Sequence, residues 1–230
     1  MATITASDLK LRARQRADME NSEFVTDSEL LFYINNSYAE LYDILVSKFE
    51  DYYVKNPPYE FAITGSDYSA PLPDDFYKLR GVDRAASGSG DWYTIHPFRF
   101  EQRNDNRSRF IYRALYPDAR YRIYGNQIII VPNDFAVGSY RLWYVPKFTQ
   151  LVLDTDTVDG VNGWEEYIVI DAAIKCLTKE ESDTSALTNM KAMLMERINR
   201  MAANRDVGSP ERITDTTLSY VFNDLFYYGR

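Results

Sequence analysis

The chain has 230 residues, of which 45% are hydrophobic and 26% are charged, and this composition is typical of a folded globular protein. Its net charge of −8 argues against a protein that wraps nucleic acid with a basic surface, although DNA could pass along it without being held. One cysteine and one histidine exclude an intramolecular disulfide and nearly exclude a zinc site built on two or more such ligands.

The lone cysteine also favours a reducing compartment. The first residues lack the basic and apolar regions of a signal peptide, and no apolar run approaches the ~20 residues that span a bilayer. We therefore expect no membrane partner. Aromatic residues make up 15% of the chain, which indicates either protein interfaces or a β-rich core.

Two helices are predicted near the start of the chain. Residues 5–8 form a capping box, which predicts a short helix that ends at about Met19. A second box at residues 26–29 precedes apolar side chains at spacings of three and four, which predicts an amphipathic helix over residues 27–53. Residues 56–58 then end this helix, because they contain two prolines.

The next hundred residues have the alternation and turns of β structure. Gly125 and Asn126 separate two apolar segments and predict a two-residue hairpin. Residues 71–76 are expected to form a short helical turn and residues 85–90 a flexible loop. The predicted strands are 59–64, 92–95, 120–124, 127–131 and 139–145. The last of them is expected to be the third strand of an antiparallel meander.

Two more helices follow the β region. A helix from Trp164 to about Leu177 is apolar nearly all round, so we expect it to be the most buried helix. Another helix is predicted from Asp183 or Thr184 to about Asn204. Its expected inner stripe consists of Leu187, Met190, Leu194, Ile198 and Met201.

These elements predict an α+β fold with three parts. Residues 1–57 and 159–205 form a discontinuous α-helical bundle, residues 58–158 form a small inserted antiparallel β domain, and residues 206–230 form an extended C-terminal arm. The charge pattern agrees with this division, since both helical segments are acidic and the insert has equal numbers of acidic and basic residues.

The sequence offers only weak signals for a catalytic or metal-binding site. Residues 154–165 have some of the acidic positions of a calcium loop, but Asp159 stands where glycine is needed, so a polar capping loop is favoured. Three pairs of adjacent carboxylates are explained by helix ends: Asp74 and Asp75, Glu165 and Glu166, Glu180 and Glu181. His96 and Cys176 are expected to be a packed or surface histidine and an inert buried thiol. We expect no enzymatic activity, no cofactor and no metal.

An arginine-rich and aromatic stretch occupies residues 99–122. Such a pattern favours contact with an acidic protein partner, with a solvated hairpin as the next interpretation and nucleic acid as a distant third. The arginines that we assign to partner contacts are Arg99, Arg103, Arg107, Arg109 and Arg113.

The last 25 residues carry apolar side chains without a helical or strand period. They are too apolar for an ordinary disordered end, so we favour an arm that docks on another subunit over a segment that folds back on its own domain. The expected anchors are Tyr220, Phe222, Leu225, Phe226, Tyr227 and Tyr228.

The order of these patterns resembles the head-to-tail adaptor (connector) proteins of short-tailed bacteriophages. The resemblance depends on residues 163–175, 179–183, 202–206 and 210–212, together with residues 71–80 in the first half. It implies a structural virion protein at the head–tail junction, made in the host cytoplasm, that forms a ring of twelve copies and lines the DNA channel.

The resemblance also implies partners for each part of the chain. The helical part would contact neighbouring copies in the ring, the arm would bind the portal protein, and the β insert would face the tail or nozzle. DNA would pass through the channel without specific binding. Two alternatives remain open, a tail-completion or tail-terminator protein and, with less support, a tail-borne glycoside hydrolase.

Overall fold

A computed structural model describes residues 3–21, 23–86, 90–103, 119–159 and 163–203. Within these ranges the chain forms four α-helices and nine β-strands, which confirms the α+β class. The helices are α1 (Ala6–Arg16), α2 (Asp27–Lys48), α3 (Glu166–Lys179) and α4 (Ser185–Ala203). The strands are β1 (Thr3–Thr5), β2 (Tyr59–Ile63), β3 (Ser69–Pro71), β4 (Phe76–Ala85), β5 (Trp92–Pro97), β6 (Arg120–Tyr124), β7 (Gln127–Val131), β8 (Gly138–Pro146) and β9 (Thr157–Asp159).

The first two helices begin at the capping boxes that the sequence predicts. The Asp8 backbone N–H donates to Thr5 Oγ1 at 3.1 Å, and the Glu29 N–H donates to Thr26 Oγ1 at 3.3 Å. The second helix, however, ends at Lys48 rather than at residue 53, so its predicted end is wrong. Tyr53 leaves the helical path and stacks on Tyr42, with ring centres 4.5 Å apart.

The four helices share one apolar core. As predicted, α3 is the most buried, since every side chain from Tyr167 to Ala173 is buried. Helices α2 and α3 pack against each other, and each of α1 and α4 packs against both of them. Helices α1 and α4 make at most marginal contact with each other.

The inner face of α4 differs from the predicted stripe. Leu187 and Leu194 pack on the core and Ile198 is buried, as expected. Met190 and Met201 are exposed, so their assignment to the inner face was wrong. The inner face instead contains Lys191, whose ammonium group is drawn inward by a buried carboxylate on α3.

Seven strands form one sheet in the order β2-β8-β4-β5-β6-β7-β3. The edge strands β2 and β3 contact each other, so the sheet curls almost into a barrel around its own apolar core. The predicted hairpin is present as β6 and β7, with Tyr124 paired with Gln127 across the turn. A separate small sheet pairs β1 with β9 and ties the start of the chain to the segment before α3.

Two expectations for this region are wrong. Strand β8 pairs with β2 and β4 rather than with β7, so it is not the third strand of a meander. The sheet is not wholly antiparallel, because β5 and β6 run parallel. The short turn expected over residues 71–76 is present, since the Phe76 N–H donates to the Pro73 carbonyl, and β4 begins at Phe76.

Candidate assembly surfaces

Exposed apolar side chains on α4 form the first candidate surface. Met190, Met193 and Met201 are 41%, 74% and 51% exposed, and Arg197 lies among them on the same side of the helix. We call these four residues the methionine stripe. Methionine and arginine are both enriched in protein interfaces, whereas a single exposed apolar residue needs no explanation.

A second apolar surface lies beside α1. Its exposed side chains are Leu11 on α1, Phe32 on α2, and Val152 and Leu153 in the segment after β8. We call these four residues the apolar edge. Val152 is 71% exposed, and it follows Leu151, which is buried in the helical core.

Hydrogen bonds hold the elements of the apolar edge together. Asn35 on α2 exchanges two hydrogen bonds of 2.8 and 2.9 Å with the backbone of Leu151. Lys10 on α1 donates to Asp154 Oδ1 at 2.6 Å, and Arg14 donates to Asp27 at 2.8 Å. These bonds connect α1 and α2 to the segment after β8.

A buried ion-pair network supports α4 from inside. Asp171 on α3 is 3% exposed, and its two carboxylate oxygens lie 2.6 Å from the ammonium groups of Lys175 and Lys191 and from the Ser37 hydroxyl. Burial alone would raise the pKa of Asp171, but the hydrogen bonds from the two lysines and Ser37 outweigh burial and lower it. Lys191 also pairs with Glu40 on α2, so the network joins three helices.

The helices and the large sheet are joined by buried and polar contacts. The Tyr42 hydroxyl on α2 donates to the Pro146 carbonyl at the end of β8 at 2.5 Å. Tyr42 and Val46 form a small buried cluster with Val145 of β8. Burial raises the pKa of Tyr42, so its hydroxyl stays protonated as a hydrogen-bond donor.

Charged side chains reinforce the same junction. Arg80 on β4 pairs with Glu50 and Asp51, which directly follow α2. Lys55 donates to Asp75 and to the Tyr144 hydroxyl at 2.8 and 2.9 Å. Both carboxylate oxygens of Asp75 therefore accept a hydrogen bond, one from Lys55 and the other from the Tyr144 hydroxyl.

A groove of about 460 Å³ lies next to this junction. Tyr77, Phe148 and Lys147 are among its lining residues, and the Tyr77 hydroxyl donates to Asp43 at 2.7 Å. The groove is open to solvent and mainly apolar, so it could accept a side chain of a partner protein.

The arginine-rich stretch is described only in part. Arg99 is exposed directly after β5, and Arg103 ends a short 3-10 helix, Phe100–Arg103. Arg122 donates to the Phe98 carbonyl at 3.0 Å and lies 5.9 Å from the ring centre of Phe100. Arg107, Arg109 and Arg113 lie outside the described residues. The predicted arm residues Tyr220, Phe222, Leu225, Phe226, Tyr227 and Tyr228 lie outside them too.

The acidic side chains at the start of the possible calcium loop bind other groups of the chain. Asp156 Oδ2 accepts the backbone N–H groups of Val152 and Leu153 at 2.7 and 2.8 Å, and Asp154 pairs with Lys10. Among the residues described, no three His, Cys, Asp or Glu side chains converge on one point. No helix in the same ranges is long and apolar enough to cross a membrane.

Neither the methionine stripe nor the Asp171 network is among the features predicted from the sequence. A signal for both exists in the spacing of residues 187, 191, 194 and 198, which places Lys191 rather than Met190 on the inner face. Asp171 gave a second signal, since it is the one charged residue in the apolar run from Tyr167 to Ile174.

Comparison with known protein families gives a match that covers most of the chain. The model of a family described as SU10 adaptor protein matches residues 4–214. No curated protein matches the chain. The matched region includes the helices, the sheet and the arginine-rich stretch, but it ends before the predicted anchor residues at 220–228.

Proposed function

Since the chain belongs to the SU10 adaptor family of phage head-to-tail adaptor proteins, we propose that it forms a ring that joins the portal of the capsid to the tail or nozzle. The family match is the observation that carries this proposal. It covers residues 4–214 and therefore nearly all of the secondary structure described above. The family is one of phage structural proteins, which makes this chain a virion component.

The ring is supported by two different apolar surfaces on the helical part. A closed ring of identical subunits requires a face on each copy that fits a different face on the next copy. The methionine stripe lies on α4, whereas the residues of the apolar edge come from α1, α2 and the segment after β8. A ring of twelve copies is what the resemblance to connector proteins implies.

We assign a separate role to each part of the chain. Residues 1–57 and 159–205 would form the ring as a discontinuous helical bundle, and residues 58–158 would be an inserted domain on the tail side. Arg99, Arg103, Arg107, Arg109 and Arg113 would contact the tail or nozzle. The separate cores of the helices and the large sheet support this division.

Residues 206–230 would form the arm that grips the portal. This assignment is supported by the apolar composition of the segment, which provides six anchors: Tyr220, Phe222, Leu225, Phe226, Tyr227 and Tyr228. An extended arm adds contact area at an entropic cost, and twelve simultaneous contacts in a ring would offset that cost.

The proposal includes a DNA channel but no catalysis. A net charge of −8 suits a channel through which DNA slides, because basic surfaces would retain the phosphate backbone. We propose no enzymatic activity, no cofactor and no membrane partner. The protein would be made in the host cytoplasm and then assembled at the head–tail junction.

Gold-labelled antibodies against the chain, applied to purified virions, test this placement by electron microscopy. We expect label at the single vertex between head and tail, and particles from a phage that lacks the gene should be DNA-filled heads without tails. Heads that join tails normally without the protein would contradict the proposal. Antibody raised against the capsid protein serves as the control, since it should label the whole head.

Binding to purified portal protein separates the adaptor from a tail-completion protein. An adaptor is expected to be retained by immobilised portal, whereas a tail-completion protein would be retained only by isolated tails. Retention by tails alone would therefore replace the proposed function with that alternative.

A further inference from the structure

The groove beside Tyr42 has an aromatic floor. The rings of Tyr77 and Phe148 each lie 6.3 Å from the ring of Tyr42, measured between ring centres. Ala39 of α2 also lines the groove and contributes only a methyl group. The groove has a volume of about 460 Å³, which lies in the range of pockets that bind small ligands, so it has room for an aromatic side chain.

Two charged residues that line this groove keep free hydrogen-bonding capacity. Asp43 Oδ1 accepts the Tyr77 hydroxyl, and in the described part of the chain no group donates to the second oxygen of Asp43. Lys147 donates to the Asp74 carbonyl at 3.1 Å and forms no ion pair with a described residue. An apolar floor beside one acceptor and one cation fits a tyrosine, whose ring is apolar and whose hydroxyl both donates and accepts.

The chain itself contains a segment of this chemistry. Residues 220–228 include three tyrosines and three apolar side chains, the six anchors assigned to the arm. Such a segment is unfavourable in water unless another surface covers it. In the virion the portal would cover the arm. Before assembly no portal is present, and a surface of the same chain is favoured because it is linked to the arm.

The direction of α4 brings the arm to the side of the groove. Helix α3 runs antiparallel to α2, because Lys179 pairs with Glu29 at one end and the Tyr167 hydroxyl donates to Glu40 at the other. Helix α4 follows α3 after a short turn, packs against it and brings Lys191 back to Glu40. It therefore runs in the same direction as α2 and ends toward the end of α2 that contacts the sheet.

We propose that residues 220–228 occupy the groove beside Tyr42 in the unassembled chain, with a tyrosine ring on the aromatic floor and its hydroxyl between Asp43 and Lys147. Residues 204–219 span up to about 50 Å when extended, which exceeds the ~33 Å length of α2, so the segment reaches its own groove. The portal then takes the arm from the groove. This inference rests on the portal-binding arm of the proposed function and adds its position before assembly.

Chymotrypsin tests this contact, because it cleaves after tyrosine and phenylalanine. Intact mass spectrometry follows the loss of the C-terminal peptide from the full chain under native conditions. Ala39→Phe fills the groove without removing a side-chain hydrogen bond. We expect this variant to release the arm and to speed cleavage within residues 220–228 about tenfold, since proteolysis follows the population of the open form.

The matched control is Ala186→Phe, the same substitution at an exposed position near the start of α4. This variant should be cleaved as slowly as the unmodified chain, and neither rate should depend on protein concentration. Protection that rises with protein concentration would place the arm on a second copy and overturn the proposal. Equal cleavage of Ala39→Phe and the unmodified chain would overturn it as well.

A second measurement leaves the aromatic floor intact. Gln150→Cys places a thiol at the groove, and Val152→Cys places one at an exposed position that does not line it. Ending each variant at Asn204 should speed maleimide labelling about tenfold at position 150 and leave it unchanged at position 152. The native Cys176 is buried, and burial raises the pKa of its thiol to about 11, so it contributes little labelling. Equal labelling of position 150 in the long and shortened chains would overturn the proposal.

Retention on immobilised portal separates this inference from the proposed function. Ala39→Phe should bind portal at least as tightly as the unmodified chain, because its arm is already released. Retention of both proteins together with equal chymotrypsin cleavage would overturn the groove contact and leave the adaptor assignment in place. Faster cleavage of Ala39→Phe without retention of either protein would support the groove contact and overturn the role of the arm at the portal.

Discussion

Asp171 is a buried carboxylate, and its unfavourable burial is compensated by ion pairs and a hydrogen bond. A carboxylate that is 3% exposed is unfavourable unless its charge is compensated, and two lysines and a serine do so here. The network lies under α4 and joins it to α2 and α3, so it fixes the helix that carries the methionine stripe.

Replacing Asp171 by asparagine should destabilise the protein in a pH-dependent way. At pH 7 we expect the free energy of unfolding to fall by about 2–4 kcal/mol, because two partly buried lysines lose their buried carboxylate partner and keep only Glu40. The folded pKa of Asp171 is lowered, so its stabilisation is present above its ordinary pKa and is lost as the pH falls through the folded value. The difference in the free energy of unfolding between wild type and Asp171→Asn should therefore become smaller below about pH 4.

Urea titrations of both proteins between pH 3 and pH 7 provide the measurement. Glu196→Gln is the control, since Glu196 pairs with Arg200 on the exposed side of α4 and should contribute less than about 0.5 kcal/mol. If the free energies of unfolding of wild type and Asp171→Asn differ by the same amount across this pH range, the ionised Asp171 does not provide the proposed stabilisation.

Single residues show where sequence reasoning fails. The capping residues Thr5 and Thr26 were predictable because a cap acts over three residues of chain. The pairing of Asp171 with Lys191 was not predicted, because it depends on how two helices pack. The spacing of residues 187, 191, 194 and 198 leaves Met190 off the inner face, but it does not decide between Met201 and Ala202, of which the structure buries Ala202.

At the scale of elements, the contacts between α2 and β8 connect the helices to the large sheet. Tyr42 is 4% exposed, donates to the Pro146 carbonyl and packs on Val145, while its ring stacks on Tyr53. The proposed adaptor function requires a fixed position of the sheet relative to the helices, so we expect this junction to be rigid.

Replacing Tyr42 by phenylalanine removes one hydroxyl and keeps the ring. The Pro146 carbonyl then loses its hydrogen-bond donor at a buried site, so we expect a loss of about 1–2 kcal/mol in the free energy of unfolding. Tyr77→Phe is the matched control, because the Tyr77 hydroxyl bonds Asp43 at an exposed position. Equal losses in the two variants, measured by denaturant titration, would show that burial of the Tyr42 bond does not matter.

The elements themselves were predicted unevenly. The four helices and the β6–β7 hairpin follow from local periodicity and turn residues, and the structure confirms them. Strand β4, which lies near the middle of the sheet, was missed because it lacks strict alternation and is interrupted by bulges. The parallel pairing of β5 with β6 and the position of β8 depend on contacts between distant segments, which sequence spacing does not encode.

At the scale of the whole molecule, the proposed function combines a ring, a tail-side insert and a portal-binding arm. The junction at Tyr42 connects the sheet to the helices, which we propose to form the ring. The family of the chain was predictable because the order of its patterns along the sequence resembles connector proteins, and the family match agrees. Which side chains the packed helices leave exposed was not predictable, since it depends on contacts between distant segments.

The central claim is that several copies of the chain assemble on the portal. The most direct test is the mass of purified portal, measured by mass photometry, alone and with either the full chain or a variant that ends at Asn204. The account predicts that the full chain adds about twelve copies to each portal and that the shortened variant adds none. A portal mass that stays unchanged with the full chain would contradict the adaptor assignment, and an equal gain with the shortened variant would contradict the role of the arm.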